Sequence, residues 1–417
     1  MSIFAQRESD IRAYCRVYPV VFEKASNARQ TDDQGNEYID FFAGAGVLNY
    51  GHNNERMKQA VINYLQNDGV LHTLDMHSTA KRTFMETFEK VILEPRSMDH
   101  KMQFMGPTGT NSVEAALKLA RRVTGRRQVV AFSKGFHGMT LGALALTANS
   151  YFRGAAGVPL ANVVHQPFGH MDSLSLLKEL YADPSSGMEP PAAFVVETIQ
   201  AEGGVNVASS EWLLALQALA KEVGALLVVD DIQVGCGRTG SFFSFDDVAA
   251  NGESLDPDII CLAKGIGGMG TPMAMNLVKP EHDKHWSPGE HTGTFRGQSL
   301  SFVAGTEALK YYETPELMDQ VARYTIIMND ALAPLLRKYP QVEVRGKGMI
   351  IGLDVADTEH SKAIVAECFD NGLLIASCGT GGKVLKLIPP LTIPEDDLTA
   401  GLEILVRATD NTLEAAL

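Results

Sequence analysis

The stretch that decides the fold is ALLVVDDIQVGCGRTGSFFSFD, residues 225–246, followed by DIICLAK, residues 258–264. Each stretch opens with a short, almost uniformly apolar run, which is typical of a parallel strand buried on both faces. Asp230 ends the first run, and Lys264 stands just beyond the second. Because ligands of α/β proteins gather at the carboxyl ends of parallel strands, we expect both side chains to face one ligand cleft.

The pattern around this stretch alternates between strand-like and helix-like segments. Two more apolar runs, QVVAF at 128–132 and AAFVV at 192–196, come earlier in the chain. Residues 112–122 and 211–222 have the amphipathic spacing of helices. Strands that alternate with helices predict an α/β fold with a mostly parallel sheet.

In about the last hundred residues, the order of predicted helices and strands changes. The predicted elements are a helix near 315–338, strands within 341–354, a helix at 361–371, a strand at 383–388 and a helix near 395–408. This order predicts a smaller α+β domain that the N-terminal residues join. We therefore divide the chain into a large domain of residues 50–310 and a smaller domain of residues 1–49 and 311–417.

Composition excludes several classes of function. The 417 residues carry 36 lysines and arginines against 50 aspartates and glutamates, a net charge of −14. A chain this acidic, with no basic block, is a poor candidate for binding nucleic acid or an anionic membrane. The sequence has no membrane-span-like apolar run and no signal-peptide core. Five cysteines without a CxxC pair fit a reducing compartment. We therefore expect a cytoplasmic protein.

Lys264 and Asp230 are the first candidates for chemistry. A lysine at a strand's carboxyl end, followed by glycines, can form a Schiff base with a carbonyl group; the alternative is a surface lysine that opens a loop. A buried carboxylate such as Asp230 needs a partner that offsets its desolvation. A protonated pyridine nitrogen is one such partner, while metal ligation and helix capping are the alternatives.

Two further motifs point to a phosphorylated, flat ligand. In GPTGTN, Gly109 and Thr110 lead into a predicted helix, whose free N–H groups and positive dipole end can hold a phosphate. The alternative is an ordinary helix cap. In GFHGMT, Phe136 and His137 follow a predicted strand, and an aromatic side chain there can stack on a flat ring or simply pack in the core.

Two other patterns do not support the functions they are usually associated with. GxGxxG occurs at 235–240 and at 265–270, but neither copy opens a predicted helix, so a dinucleotide-binding site is not predicted. Histidine pairs such as His282 and His285 lie in polar sequence without an HExxH motif. We expect no metal site.

Taken in chain order, these parts resemble the class III aminotransferases, which are pyridoxal-phosphate enzymes of fold type I that include the ornithine and 4-aminobutyrate enzymes. The resemblance extends from DDQGNEYIDFFAGAGVLNYGH at 32–52 to LKLIPPLTIPEDDL at 385–398. It implies an α/β protein whose large domain has a mostly parallel seven-stranded sheet, together with a smaller α+β domain. It also implies pyridoxal 5′-phosphate as the cofactor.

The resemblance assigns roles around the cofactor ring. Lys264 would form the Schiff base and move the proton, and Asp230 would pair with the pyridine nitrogen. Gln233 would approach the ring hydroxyl. Phe136 would stack on the ring, with His137 beside it in the same cofactor-binding group.

The resemblance also assigns the phosphate and substrate ends. Gly109 and Thr110 would hold the phosphate. Thr294, in HTGTF, would reach the phosphate bound in a neighbouring subunit. The resemblance therefore implies a homodimer, or a multiple of one, with the active site at the subunit interface. Glu202 resembles the acidic residue near the substrate in the ornithine group. Lys386 stands where those enzymes carry an arginine, so it offers a point charge in place of a planar fork.

Several phrases, among them TLDMHSTAK at 73–81 and GFHGMTLGALALT at 135–147, resemble one branch of the family. That branch transfers the amino group of L-glutamate to L-aspartate 4-semialdehyde, giving L-2,4-diaminobutyrate and 2-oxoglutarate, the first step of ectoine synthesis. The alternative is an omega-aminotransferase acting on 4-aminobutyrate, ornithine or acetylornithine. More distant alternatives are a fold-type I decarboxylase or isomerase, and a regulator, for which the chain has no spare basic segment.

Overall fold

The computed structural model describes residues 2–250 and 252–416. Its strands are β1 (Phe22–Ser26), β2 (Arg29–Asp32), β3 (Glu37–Asp40), β4 (Lys101–Phe104), β5 (Val129–Phe132), β6 (Val163–Gln166), β7 (Ala193–Val196), β8 (Ile199–Gln200), β9 (Asn206–Val207), β10 (Leu226–Asp230), β11 (Ala249–Ala250), β12 (Glu253–Ser254), β13 (Ile259–Leu262), β14 (Met275–Val278), β15 (Glu343–Lys347), β16 (Ile350–Asp354), β17 (Leu373–Leu374), β18 (Ala376–Cys378) and β19 (Val384–Leu387).

The α-helices are α1 (Ile3–Arg7), α2 (Tyr14–Val17), α3 (Ala43–Gly46), α4 (Glu55–Gln66), α5 (Thr79–Phe88), α6 (Gly109–Thr124), α7 (Leu141–Leu146), α8 (Ser150–Gly154), α9 (Met171–Ala182), α10 (Ser210–Val223), α11 (Pro280–Asp283), α12 (Ser299–Leu309), α13 (Glu316–Lys338), α14 (Thr358–Asp370) and α15 (Glu395–Glu414). Short 3₁₀ or π turns cover Glu89–Leu93, Glu94–Arg96, Lys264–Gly267, Lys310–Tyr312 and Thr380–Gly382.

A seven-stranded sheet forms the centre of the molecule, in the order β4-β14-β13-β10-β7-β5-β6. All its strands are parallel except β14, which runs antiparallel to β13 and β4. The four apolar runs read from the sequence are β5, β7, β10 and β13. The predicted α/β fold with a mostly parallel sheet is therefore confirmed.

The helices that cover this sheet follow from local sequence signals. Helix α10 begins after Ser209, whose hydroxyl accepts a hydrogen bond from the N–H of Trp212, and it ends at Gly224, which has φ of 65°. Its apolar face carries Trp212, which is fully buried and packs edge-on against Phe132 with ring centroids 4.9 Å apart. Burial of each large apolar side chain on such a face contributes roughly 1.5–3 kcal/mol.

A second core lies under the C-terminal helices. The sheet β15-β16-β19-β18 packs with α13, α14 and α15, as the sequence pattern predicts for this part of the chain. Helix α14 begins at Thr358, earlier than expected, because the Asp357 carboxylate caps the N–H groups of Glu359 and His360. Helix α15 runs on to Glu414.

N-terminal and C-terminal residues share one small sheet, β1-β2-β3-β17. Strand β3 pairs in parallel with β17, and the Arg29 guanidinium lies 2.6 Å from the Asp397 carboxylate. These contacts join the first forty residues to the last fifty. The division into residues 50–310 against 1–49 with 311–417 stays a prediction. None of the helices in the described residues is long and apolar enough to cross a bilayer.

Candidate active site

The cleft at the carboxyl ends of the central strands collects most of the predicted site residues. It encloses about 580 Å³ of space between atoms, part of which is open to solvent. The described residues that line it are Gly109, Thr110, Phe136, His137, Gly138, Glu197, Glu202, Asp230, Ile232, Gln233, Val234 and Lys264. Eight of these were named from the sequence, so the strand-end argument located the cleft.

Lys264 lies in this cleft on a backbone with φ of 52°, in the left-handed region that side chains rarely adopt. Its Nζ donates to the carbonyl oxygen of Ala45 at 3.0 Å. Ala45 itself has φ of 59°, so two strained residues meet at this hydrogen bond. Burial lowers the pKa of the Lys264 amine to about 8. About a tenth of the amine is therefore neutral and nucleophilic at pH 7, far more than for an ordinary lysine.

Asp230 and His137 form a buried pair beneath the cleft. Nδ1 of His137 and Oδ2 of Asp230 are 2.7 Å apart, and both residues are at most 5% exposed. Burial alone would lower the pKa of the His137 imidazole, but the hydrogen bond to Asp230 raises it above its ordinary value. The second oxygen, Oδ1, accepts the N–H of Ile232 at 3.2 Å. The two contacts fix the orientation of the carboxylate.

The N-terminus of α6 forms one end of the cleft. The helix begins at Gly109, and Thr108 holds the capping position without a side-chain capping bond. The ordinary cap that the sequence left open is therefore absent, and the first N–H groups stay available to an anion. Thr110 lies beside them with its Oγ1 2.5 Å from that of Thr140. A Cβ on Gly109 would come within 3.0 Å of Ile232, so the backbone lies close to its neighbour here.

Glu202, Gln233 and Lys386 form a polar group in which Gln233 and Lys386 are buried and the Glu202 side chain is 27% exposed. The Lys386 ammonium is only 1% exposed and forms an ion pair with Glu202. Gln233 accepts from Lys386 at 3.0 Å and donates to Glu202 at 3.1 Å and to Ala45 at 2.9 Å. Burial would raise the pKa of the Glu202 carboxyl, but Lys386 and Lys264 lower it to about 2. Both charges therefore persist across the physiological range.

Two predicted residues lie differently from the rest. Thr294 is exposed and outside the cleft of its own chain, where its carbonyl accepts a hydrogen bond from His72 at 2.8 Å. Its predicted role in a neighbouring subunit's site stays a prediction. Phe136 lines the cleft and packs edge-on against Phe152, with ring centroids 5.6 Å apart. Its predicted stacking on a ligand ring likewise stays a prediction.

Sequence reasoning missed Glu197. This residue is 7% exposed, and burial raises the pKa of its carboxyl to about 7. It comes directly after β7, just as Asp230 ends β10. The rule that selected Asp230, a carboxylate at the end of a buried strand, applies equally to ETIQAEGG and would have identified it.

The class-III aminotransferase family model matches residues 12–409. The diaminobutyrate–2-oxoglutarate transaminase of Halalkalibacterium halodurans is 47% identical over 97% of this chain and 95% of the relative. The protein of the same name from Wolinella succinogenes is 48% identical over 99% of this chain and 97% of the relative.

The fold also matches solved structures. The ornithine aminotransferase of Toxoplasma gondii superposes with a TM-score of 0.86 at 26% identity, covering 99% of this chain and 94% of that one. An aminotransferase of Bacillus anthracis superposes with a TM-score of 0.86 at 23% identity, over 98% of this chain and 97% of that one. The fold-type I architecture inferred from the sequence is confirmed, and this chain belongs to the class-III aminotransferases.

Proposed function

We propose that this protein transfers the amino group of L-glutamate to L-aspartate 4-semialdehyde, giving L-2,4-diaminobutyrate and 2-oxoglutarate. Full-length identity near 47% to enzymes named for diaminobutyrate and 2-oxoglutarate is the observation that carries the choice of substrate. The solved ornithine aminotransferase is 26% identical, which favours the diaminobutyrate reaction over the ornithine alternative. The product is the one expected of the first step of ectoine synthesis.

The cleft fits pyridoxal 5′-phosphate as the cofactor. The free N–H groups at Gly109 and Thr110 suit the phosphate, and the Asp230 carboxylate suits a protonated ring nitrogen. The Lys264 amine, with its lowered pKa, suits the aldehyde carbon. When bound, this cofactor supplies an electron-withdrawing ring that stabilises negative charge on the substrate carbon next to nitrogen.

Lys264 serves as the base and acid in this proposal. With a substrate amine bound in the cleft, its Nζ would take a proton from the substrate carbon and return one. The Ala45 carbonyl, 3.0 Å away, gives the amine a resting hydrogen bond within the cleft. Asp230, oriented by His137, would keep the nitrogen of a bound pyridine ring protonated.

The Glu202–Lys386 pair would select between the two substrates. Lys386 is the buried cation nearest to Glu202, and a substrate carboxylate must compete with Glu202 to reach it. Glutamate carries a second carboxylate for this purpose, whereas with the amino-aldehyde acid Glu202 stays paired with Lys386. A lysine offers a point charge to either carboxylate, so exchange between them requires no matched planar geometry.

We further propose that two copies form the working enzyme, with Thr294 of each copy reaching the other copy's cleft. The Thr294 carbonyl bonds to His72, whose ring packs against Phe295, and the chain around His72 carries further exposed apolar side chains, namely Val70, Leu71, Leu74 and Met76. Contiguous exposed apolar surface is typical of protein–protein interfaces. Sedimentation of Phe295→Asp should show monomers with weakened cofactor binding; an unchanged dimer would remove this surface from the proposal.

We assign the reaction to the cytoplasm. All five cysteines are free thiols, and four of them are buried. This pattern is expected where thiols stay reduced.

The visible absorption spectrum of the cofactor-loaded protein tests the proposed reaction. Addition of 2,4-diaminobutyrate without an oxo acid should bleach the cofactor band, and 2-oxoglutarate should restore it. Ornithine and 4-aminobutyrate, at the same concentration, should bleach it far more slowly. A band that responds to glutamate but not to diaminobutyrate would contradict the proposed substrate.

A further inference from the structure

Glu197 holds two loops of the cleft at the same time. Its Oε1 accepts the N–H of Phe136 at 3.0 Å, and its Oε2 accepts the N–H of Ala201 at 3.4 Å. Phe136 belongs to the loop after β5, and Ala201 precedes Glu202 in the turn after β8. One buried carboxylate thus connects Phe136, predicted to stack on the cofactor ring, to the turn that carries Glu202, predicted to lie near the substrate.

The same two loops touch at two further points. The amide Nε2 of Gln200 donates to the carbonyl oxygen of Ser133 at 2.7 Å. Gly203 packs so closely on the other loop that a Cβ there would lie 2.4 Å from the carbonyl oxygen of Lys134. The loops at 133–136 and 200–203 therefore form one connected unit along the cleft, with Glu197 at its buried end.

We propose that Glu197 is a positioning residue that fixes Phe136 relative to Glu202. It thereby couples the affinity for the cofactor to the affinity for glutamate. This inference rests on the proposed transaminase function. Glu197 itself takes no part in the proton transfers of Lys264. Its contribution is to keep both loops in the spacing that cofactor and substrate need together.

A carboxylate suits this role better than its amide. An ionised carboxylate offers a charged acceptor to each N–H, whereas protonation makes one oxygen a weaker, hydrogen-bearing acceptor and amidation replaces it with an NH₂ group. Burial raises the pKa of the Glu197 carboxyl to about 7, so both hydrogen bonds are strongest above neutral pH. The ionisable groups that face it are His137, Asp230 and Lys264.

Glu197→Gln in the cofactor-loaded enzyme tests the proposal. The amide keeps one acceptor and turns an N–H group towards the other N–H. We expect about a tenfold rise in both the cofactor dissociation constant and the KM of glutamate, each equivalent to about 1.4 kcal/mol. Gln200→Leu, which removes the second connection, should shift both constants in the same direction.

Asp258→Asn is the matched control. Asp258 also accepts a backbone N–H, that of Leu227 at 2.8 Å, but it precedes β13 and so lies at the amino ends of the parallel strands, away from the cleft at their carboxyl ends. The Asp258→Asn variant should leave the cofactor dissociation constant and the KM of glutamate unchanged. In the wild type, the KM of glutamate should fall as pH rises from 6 to 8, and this fall should be absent in Glu197→Gln.

A variant that changes only the melting temperature, or only one of the two constants, would overturn the coupling. The half-reaction with glutamate reports on Glu197 whichever acceptor the enzyme uses. Failure of diaminobutyrate to bleach the cofactor would therefore count against the proposed substrate and not against the role of Glu197.

Discussion

Relative to the wild type, Glu197→Gln should be more stable at pH 8 than at pH 5 when the cofactor is absent. We expect this gain in unfolding free energy even though the substitution impairs the site. Burial raises the pKa of this carboxyl from its ordinary 4.5 to about 7, so the folded state holds the proton more tightly than the unfolded state. The wild type therefore loses stability as pH rises from about 4.5 to about 7. The rise in pKa corresponds to about 3 kcal/mol, since each pKa unit is about 1.4 kcal/mol.

Glutamine has no such charge to bury. The unfolding free energy of the variant, minus that of the wild type, should therefore increase by about 2–3 kcal/mol between pH 5 and pH 8. Urea unfolding at several pH values measures this difference. Asp231, whose pKa burial raises to about 7, is present in both proteins and cancels from the comparison.

Asp258→Asn serves again as the control. His282 and other partners lower the pKa of the Asp258 carboxyl in spite of its burial, so this group titrates below the measured range. Its difference from the wild type should change much less than that of Glu197→Gln between pH 5 and pH 8, because only the contact of the ionised carboxylate with His282 is altered in this range. A flat difference for Glu197→Gln would refute the argument that this carboxylate is ionised at a cost to stability.

Three further outcomes test the other assigned residues. Lys264→Ala should abolish turnover with every amino donor. Borohydride should attach the cofactor covalently to the wild type only, as mass spectrometry would show. Full activity of the variant would contradict the role given to Lys264. Asp230→Asn should lower kcat by about 10²–10³-fold with little change in melting temperature, because an amide does not keep the ring nitrogen protonated; unchanged kinetics would remove Asp230 from the site. Lys386→Met should raise the KM of glutamate about tenfold or more, whereas Lys178→Met, which breaks an exposed ion pair, should leave it unchanged; equal effects of the two would contradict the role given to Lys386.

Much of the fold was predictable because its signals are local. The strands β5, β7, β10 and β13 are short apolar runs, and α6 and α10 carry regular apolar faces with glycines at their ends. Strand β14 follows GIGGMGTP and runs antiparallel to its neighbours, and no local pattern specifies that direction. The pairing of β3 with β17 depends on residues far apart in sequence.

The sequence predicted most of the residues that line the site, but not the hydrogen bonds and ion pairs among them. Position after a buried strand found Asp230 and Lys264, and the same position would have found Glu197. The hydrogen bonds that Lys264 and Gln233 donate to the carbonyl oxygen of Ala45 could not be predicted from the sequence. Every residue has a backbone carbonyl, so the residue type at position 45 does not indicate that its carbonyl is an acceptor. The Lys386–Glu202 ion pair also joins distant segments, and only the fold brings them together.

The small sheet that joins both ends of the chain sets the order of events during synthesis. The Tyr18 hydroxyl bonds to the carbonyl oxygen of Ile375, 357 residues away. At about 5–20 residues per second, a ribosome needs about 20–70 s to reach that partner. Strands β1, β2 and β3 can pair with one another early, but β3, EYID, waits through this interval without its partner β17. Glu37 and Asp40 flank the apolar Tyr38 and Ile39 of this strand, and charges on an open edge oppose its pairing with other chains until β17 is made.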